Sequence, residues 1–216
     1  MEAFNKPVIV DGDKQVRQDR LKRYNRNWID NTSRDELPDF FIKMGFKRGA
    51  EIGVYKAEYT EKFCQAGLIM YAIDPWRAFW GQGRTQQVQK RQDFLYEHAQ
   101  RVLAPYISTT TIIRKDSMDA VSYFRDEALD FVYIDGDHNF KHIAMDIYEW
   151  SKKVKKGGIV AGHDYWSTNP KAQNVICQVK PVVNAYIEAF GIEDLWIFGQ
   201  SNLSNEKALS WMFVKK

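Results

Sequence analysis

At 216 residues with a formal charge of +3, the chain suits one domain with a sizeable core, and its mild basicity gives only weak support for a nucleic-acid partner. A hydrophobic fraction of 44%, with 14% aromatics, excludes global disorder. No apolar run nears the ~20 residues that cross a bilayer, no signal-peptide layout opens the chain, and Cys64 and Cys177 stand far apart, so a cytoplasmic protein with reduced core thiols is expected.

Residues 1–34 read as a basic arm or helical extension, in which Lys14, Arg17, Arg20, Lys22, Arg23 and Arg26 interleave with Leu21, Tyr24 and Trp28. Residues 35–216 read as a single α/β domain. Cap residues from Asn31 onward precede Leu37, Phe40, Phe41 and Met44, a helix expected to stop near Gly45. Residues 49–54 form a first strand that runs into a helix over 55–64. Residues 68–73 form a second, closed by Asp74, Pro75 and Trp76, with a loop over 78–84. A long polar helix over 85–103 is expected to turn Val88, Phe94, Leu95 and Val102 to the core. Residues 109–113 give a third strand, and a helix follows around 118–124.

The next stretch carries most of the chemistry. Residues 131–134 are a β-rich run, closed by Asp135, Gly136, Asp137 and His138. Ile143, Ile147 and Trp150 then recur at helical spacing. Gly157 and Gly158 are expected to break that helix before a strand over 159–161, which leads into His163 and Asp164. A helix over 175–190, kinked or shortened at Pro181, precedes a hairpin of 195–198 with 209–214. Five alternations of helix and strand predict a Rossmann-like, doubly wound, mostly parallel seven-stranded sheet, antiparallel at its C-terminal strand and covered by helices on both faces.

In such a sheet the carboxyl ends of the strands form the ligand edge. Asp135 and Asp164 lie about 30 residues apart, the length of one βαβ unit, which brings both acids to that edge. Adjacent parallel strands are ~4.8 Å apart, so the two carboxylates could converge on one divalent cation. His163 would be a third ligand, and an imidazole suits Mn²⁺ better than Mg²⁺. His138, three residues after Asp135, has an ordinary pKa near 6.5 and could accept a proton, with Asp137 orienting it or acting as base itself. At the first strand–helix turn, Glu51 and Gly53 are not a dinucleotide fingerprint. A carboxylate there disfavours a pyrophosphate and favours a cationic or hydroxyl-rich ligand. Asp74, about 20 residues on, is placed to accept ribose hydroxyls, and Asp116 and Ser117 end the third strand where an adenine could sit.

Three strands ending in Glu-x-Gly, Asp and Asp-Ser resemble a class I S-adenosylmethionine-dependent methyltransferase over residues 35–216. EIGVYKAEYTEKF, YAIDPW and IDGDHNF…W…KKGGIVAGHDY resemble the macrocin and catechol O-methyltransferase-like branch. The resemblance implies that Glu51, Gly53 and Tyr55 line the methionine part of the cofactor, that Asp74 holds the ribose, and that Ser117, with Asp116 beside it, meets the adenine. It implies a divalent ion, Mg²⁺ or Mn²⁺, on Asp135 and Asp164, where His163 replaces the usual acid, and a base at His138, where catechol-type enzymes place a lysine. Asp135 counts with both cofactor and metal, and Trp76 is placed to contact the sulfonium. Ala57 stands where relatives often carry a second glycine, and is expected to tolerate the helical angles there.

The reading is an enzyme that methylates an oxygen of a small acceptor, a sugar or a phenol. Nucleic acid and membrane are not expected as partners, and a homodimer is compatible. The alternatives are a metal-dependent hydrolase or hydroxylase on Asp135, His138 and His163, and a non-catalytic Rossmann-like binding module.

Overall fold

The structure is a computed structural model in which residues 26–28, 32–78, 86–168, 177–199 and 208–216 are described. Expectations for most of the N-terminal arm, for most of the loop over 78–84, for residues 175–176 and for the turn before the last strand lie outside them. One eight-stranded sheet organises the chain, in the order β1-β7-β8-β6-β5-β2-β3-β4. Its strands are β1 (Arg26–Trp28), β2 (Arg48–Ile52), β3 (Ile69–Ile73), β4 (Thr110–Ile113), β5 (Leu129–Ile134), β6 (Val154–Gly162), β7 (Leu195–Phe198) and β8 (Ser210–Val214). All neighbours run parallel except β8, which is antiparallel to both β6 and β7.

The helices are α1 (Leu37–Lys43), α2 (Glu58–Gln65), α3 (Gln86–Leu103), α4 (Ser117–Ala120), α5 (Phe140–Lys153) and α6 (Val179–Ala189). Alternation along β5 shows how the two faces are built. Phe131 and Tyr133 pack with Phe41 of α1, Phe63 of α2 and Leu95 of α3. Val132 and Ile134 pack on the other side with Ile143, Ile147 and Trp150 of α5 and Val183 of α6. Because successive strand side chains point to opposite faces, one fully buried strand feeds two cores. At the amino edge, Asp130 accepts the N–H groups of Lys47 and Arg48 at 2.8 and 2.9 Å and pairs with Lys155 at 2.7 Å, fixing the start of β2 against β5.

Four local expectations change. The sheet gains an eighth strand, because residues 26–28 of the arm pair in parallel with β7. Gly157 and Gly158 do not end α5. The helix stops at Lys153, and both glycines lie inside β6, where the pairing with β5 shifts register between Leu129 and Phe131. A Cβ on Gly158 would stand 2.4 Å from the Asp130 carbonyl oxygen, so the pair serves a bulge rather than a helix stop. Phe94 of α3 is exposed, while Leu95, Ala99 and Leu103 form the buried stripe. The helix after β2 begins at Glu58 rather than Tyr55, since Tyr55 and Ala57 take left-handed φ angles of 52° and 66°. Pro181 sits in the first turn of α6, where a missing N–H is harmless.

Candidate functional site

The carboxyl ends of β2, β3, β5 and β6 meet on one edge, and the backbone there is unusual. Of the five non-glycine residues with positive φ among those described, Tyr55, Ala57, Trp76 and Asp164 lie on this edge. Such angles cost free energy and persist where surrounding contacts over-determine them. Gly53 ends β2 at φ +90°. Its N–H donates to Ile73 O at 2.9 Å, and a Cβ on it would stand 2.1 Å from Asp135 O. Only a residue without a side chain fits between β2 and β5 at this point.

Glu51 lies two residues earlier, inside β2. It is buried, and its carboxyl accepts a hydrogen bond from the Thr60 hydroxyl of α2. Burial pushes its pKa up to about 8, against the Thr60 bond, with the charges of Asp135 and Asp74 adding to the rise and Arg34 opposing it. The sign of the linkage follows. Below about pH 4.5 folded and unfolded chains are both protonated and no penalty exists; between about 4.5 and 8 only the unfolded chain ionises, so stability falls as pH rises. Relative to Glu51→Gln, the wild-type chain should lose about 3 kcal/mol between pH 5 and 8. Urea unfolding of both proteins at the two pH values measures it, and parallel pH profiles would refute it.

Asp74 accepts the N–H of Tyr55 at 3.0 Å on one oxygen and of Trp76 at 2.7 Å on the other. Burial raises its pKa, and the backbone bonds and Arg114 work against that. It therefore holds the glycine turn against the end of β3. Trp76 is buried, lies tilted against the Tyr96 ring with centroids 5.0 Å apart, and donates its indole N–H to Tyr55 O at 2.8 Å. Its role in this geometry is to brace the Tyr55 turn from behind. Tyr55 itself is exposed and lines a cleft of about 420 Å³, together with Gly53, Arg34, Tyr59, Lys62 and Asp135.

After β4, Asp116 occupies the position before α4 without a side-chain capping bond, and its carboxylate pairs with Arg77 at 2.5 Å. The Ser117 hydroxyl points inward, donating to Asp146 and accepting the Trp150 indole N–H at 2.7 Å. Asp146 is buried with its pKa raised to about 6, mainly by desolvation. This acid was not singled out from the sequence. Its position between Ile143 and Ile147, on the apolar stripe of α5, is the signal that could have found it.

The structure brings Asp135, His138, His163 and Asp164 together at this edge. Asp135, His138 and Asp164 each offer a ligand atom within 4.8 Å of the others. His138 Nε2 stands 3.2 Å from Asp164 Oδ2 and 3.7 Å from Asp135 Oδ1. His163 Nδ1 stands 3.4 and 3.8 Å from the same two oxygens. Asp137 turns away, accepting from His142 Nδ1 at 2.7 Å and from Asn139, so it orients His142 rather than His138. The His138 pKa is raised, first by its interaction with Asp135, against desolvation, then by the charges of Asp164, Asp135 and Asp137. Burial pushes the Asp164 pKa up, but its bonds to His163 and the Trp166 indole, with both imidazoles' charges, bring it down to about 2. Two carboxylates with one or two imidazoles are a donor set that fits a divalent transition-metal cation such as Mn²⁺. A residue from outside the expected set, Arg34, donates to Asp135 Oδ2 at 3.2 Å. Tyr165 is buried and donates to Asn184 Oδ1 at 2.6 Å, whereas Trp166 is half exposed.

A doubly wound sheet with an antiparallel strand inserted next to β6, a glycine turn after β2 and an acid after β3 defines the class I, S-adenosylmethionine-dependent methyltransferase fold. The sequence profile of the methyltransferase domain matches residues 51–165, and the chain belongs to that family. No curated protein sequence matches it. Among solved structures it is similar to a Staphylococcus aureus protein provisionally described as a caffeoyl-CoA O-methyltransferase, at 13% identity and TM-score 0.62, covering 94% of this chain and 93% of that one. It is similar to the O-methyltransferase TomG from Streptomyces achromogenes, solved with S-adenosylmethionine, at 14% identity and TM-score 0.59, covering 84% and 79%. It is also similar to the N-methyltransferase NodS from Bradyrhizobium japonicum, at 15% identity and TM-score 0.54, covering 84% and 94%. Identities this low speak to the fold alone. Among the described residues, no helix is long and apolar enough to cross a membrane.

Proposed function

We propose that the chain transfers the methyl group of S-adenosylmethionine to a hydroxyl oxygen of a small acceptor, a sugar or a phenol. The observation that carries this reading is the His138 imidazole held against two carboxylates at the edge that also carries the Gly53 turn. An amine acceptor with a free lone pair needs no base, whereas a hydroxyl gains nucleophilicity by losing its proton. In this reading Gly53 and Tyr55 meet the methionine part, a free lone pair of Asp74 accepts from the ribose, and the start of α4 at Asp116 and Ser117 meets the adenine. Glu51 and Trp76 support the turn without touching the ligand. The sulfonium gives up its methyl to the acceptor oxygen, the departing sulfur becomes a neutral thioether, and the acceptor proton passes to the neutral His138 imidazole, whose Nε2–H faces Asp164. Alignment of the two reactants supplies most of the acceleration.

The donor set also fits a divalent metal, which Asp135 and Asp164 would hold with His138 Nε2 or His163 Nδ1. Such an ion would polarise the acceptor hydroxyl and make it more acidic.

The test is calorimetric titration with S-adenosylmethionine and S-adenosylhomocysteine, each with Mg²⁺, Mn²⁺ or a chelator. Micromolar binding is expected, and Asp74→Ala should weaken it about tenfold or more through one lost charge-assisted bond. No binding by folded protein under any condition would sink the methyltransferase activity and favour the metal-hydrolase alternative. Full affinity in Asp74→Ala would remove that residue from the ribose site.

A further inference from the structure

Residues 32–36 cross the carboxyl edge and are fixed at several points. The Gly199 N–H donates to Thr32 O at 3.1 Å, and the Tyr59 hydroxyl donates to Arg34 O at 2.7 Å. Lys62 pairs with Asp35 at 2.5 Å, and Ser33 Oγ accepts the Asp35 N–H at 3.2 Å. This strap forms one wall of the cleft. It also fixes where the Arg34 side chain can go. The guanidinium lies over the Tyr59 ring, 4.7 Å from its centroid, with Nη1 3.2 Å from Asp135 Oδ2. The other oxygen of Asp135 faces His138 and His163, at 3.7 and 3.8 Å. One carboxylate is thus shared between a cation anchored in the strap and the donor set that fits a divalent ion.

We propose that Arg34 is a tethered cation that competes with a divalent metal for Asp135, so that metal binding and the seating of the strap oppose each other. This rests on the reading of the edge as a metal-assisted site. A guanidinium cannot relieve the conflict by losing its proton, so it must move or the metal must bind weakly. It repels the ion, and it holds the oxygen that would otherwise swing into the coordination shell. Linkage makes the effect reciprocal: whatever Arg34 takes from metal affinity, bound metal takes from the strap. Metal occupancy would then loosen one wall of the cleft through which reactants enter.

The experiment is a Mn²⁺ titration of the full chain without methyl donor, by calorimetry and by the spin-resonance signal of free Mn²⁺. Arg34→Gln should bind Mn²⁺ about tenfold tighter or better than wild type, because a unit charge close to the ion has gone. Arg34→Lys, which keeps the charge, should stay near wild type. Unchanged or weaker affinity in Arg34→Gln, or no Mn²⁺ bound by either protein, overturns the proposal. A second measurement avoids mutation: hydrogen exchange of wild-type residues 33–36 should quicken at saturating Mn²⁺, and unchanged or slower exchange also overturns it. S-Adenosylhomocysteine binding by the metal-free protein is scored separately. Its loss would count against the methyltransferase reading, whatever Mn²⁺ does.

Discussion

Gly53→Ala is expected to abolish detectable S-adenosylhomocysteine binding and to lower stability by about 3–5 kcal/mol. Two independent costs add at this position. Its φ of +90° is a conformation that alanine rarely adopts, and the new Cβ would stand 2.1 Å from Asp135 O and 2.5 Å from Asp135 C. Those are backbone atoms in the centre of the sheet, held in turn by the Asp135 N–H to Ile52 O bond at 2.7 Å, so they cannot swing aside as a flexible side chain would. Relief requires the ends of β2 and β5 to part. That displacement moves Asp135 and the Tyr55 turn together, and with them both halves of the proposed site. Gly45→Ala is the matched control, because Gly45 has φ +78° and nothing within 4 Å of a Cβ. It should cost only the backbone strain, about 1–2 kcal/mol, and leave binding untouched. Urea unfolding gives the stabilities, and titration at a temperature where both variants remain folded gives the affinities. Equal effects of the two substitutions would refute the steric account.

The sequence makes the central βαβ unit legible because its signals are local. A β-rich run, an apolar stripe at helical spacing and acids at both strand ends bring Asp135 and Asp164 to one edge, where His138 Nε2 stands 3.7 Å from the first and 3.2 Å from the second. The pieces it conceals depend on partners far along the chain or on backbone angles. Nothing near Arg34 announces a bond to a carboxylate 101 residues away. The inward turn of the Ser117 hydroxyl depends on Asp146, and the outward turn of Asp137 depends on His142. Strand β1 has only three residues, too few for an alternation pattern, and its identity comes from the neighbouring β7. Ala57 shows the same limit in one residue. An alanine reads as helix former, yet it holds φ 66° as the cap before α2, a conformation better suited to glycine. A glycine–glycine pair is equally ambiguous, since a helix stop and a bulge both need it.

His138→Gln should reduce turnover by about 10²–10⁴-fold while leaving cofactor affinity within about threefold of wild type. Two imidazoles face both Asp135 and Asp164, and His138 is the more open of them, its side chain 31% exposed against 11% for His163. The pH dependence gives a sharper test. Protonated His138 cannot accept a proton, so turnover in metal-free buffer should rise with pH. The midpoint should lie above the ordinary histidine value, because Asp135, Asp164 and Asp137 favour the charged imidazole more than burial disfavours it. Asp164 stays ionised across this range, with its pKa near 2, and so contributes a constant negative charge. Asp164→Asn removes that charge and should move the rising limb to lower pH. His138→Gln should abolish the limb and leave a low, pH-independent rate. A limb that persists in His138→Gln would assign the proton to another group, and a loss below tenfold would make His138 a positioning residue for the two carboxylates. The conservative Asp164→Asn shift distinguishes these outcomes from simple damage, because a distorted site would lose rate without moving the midpoint.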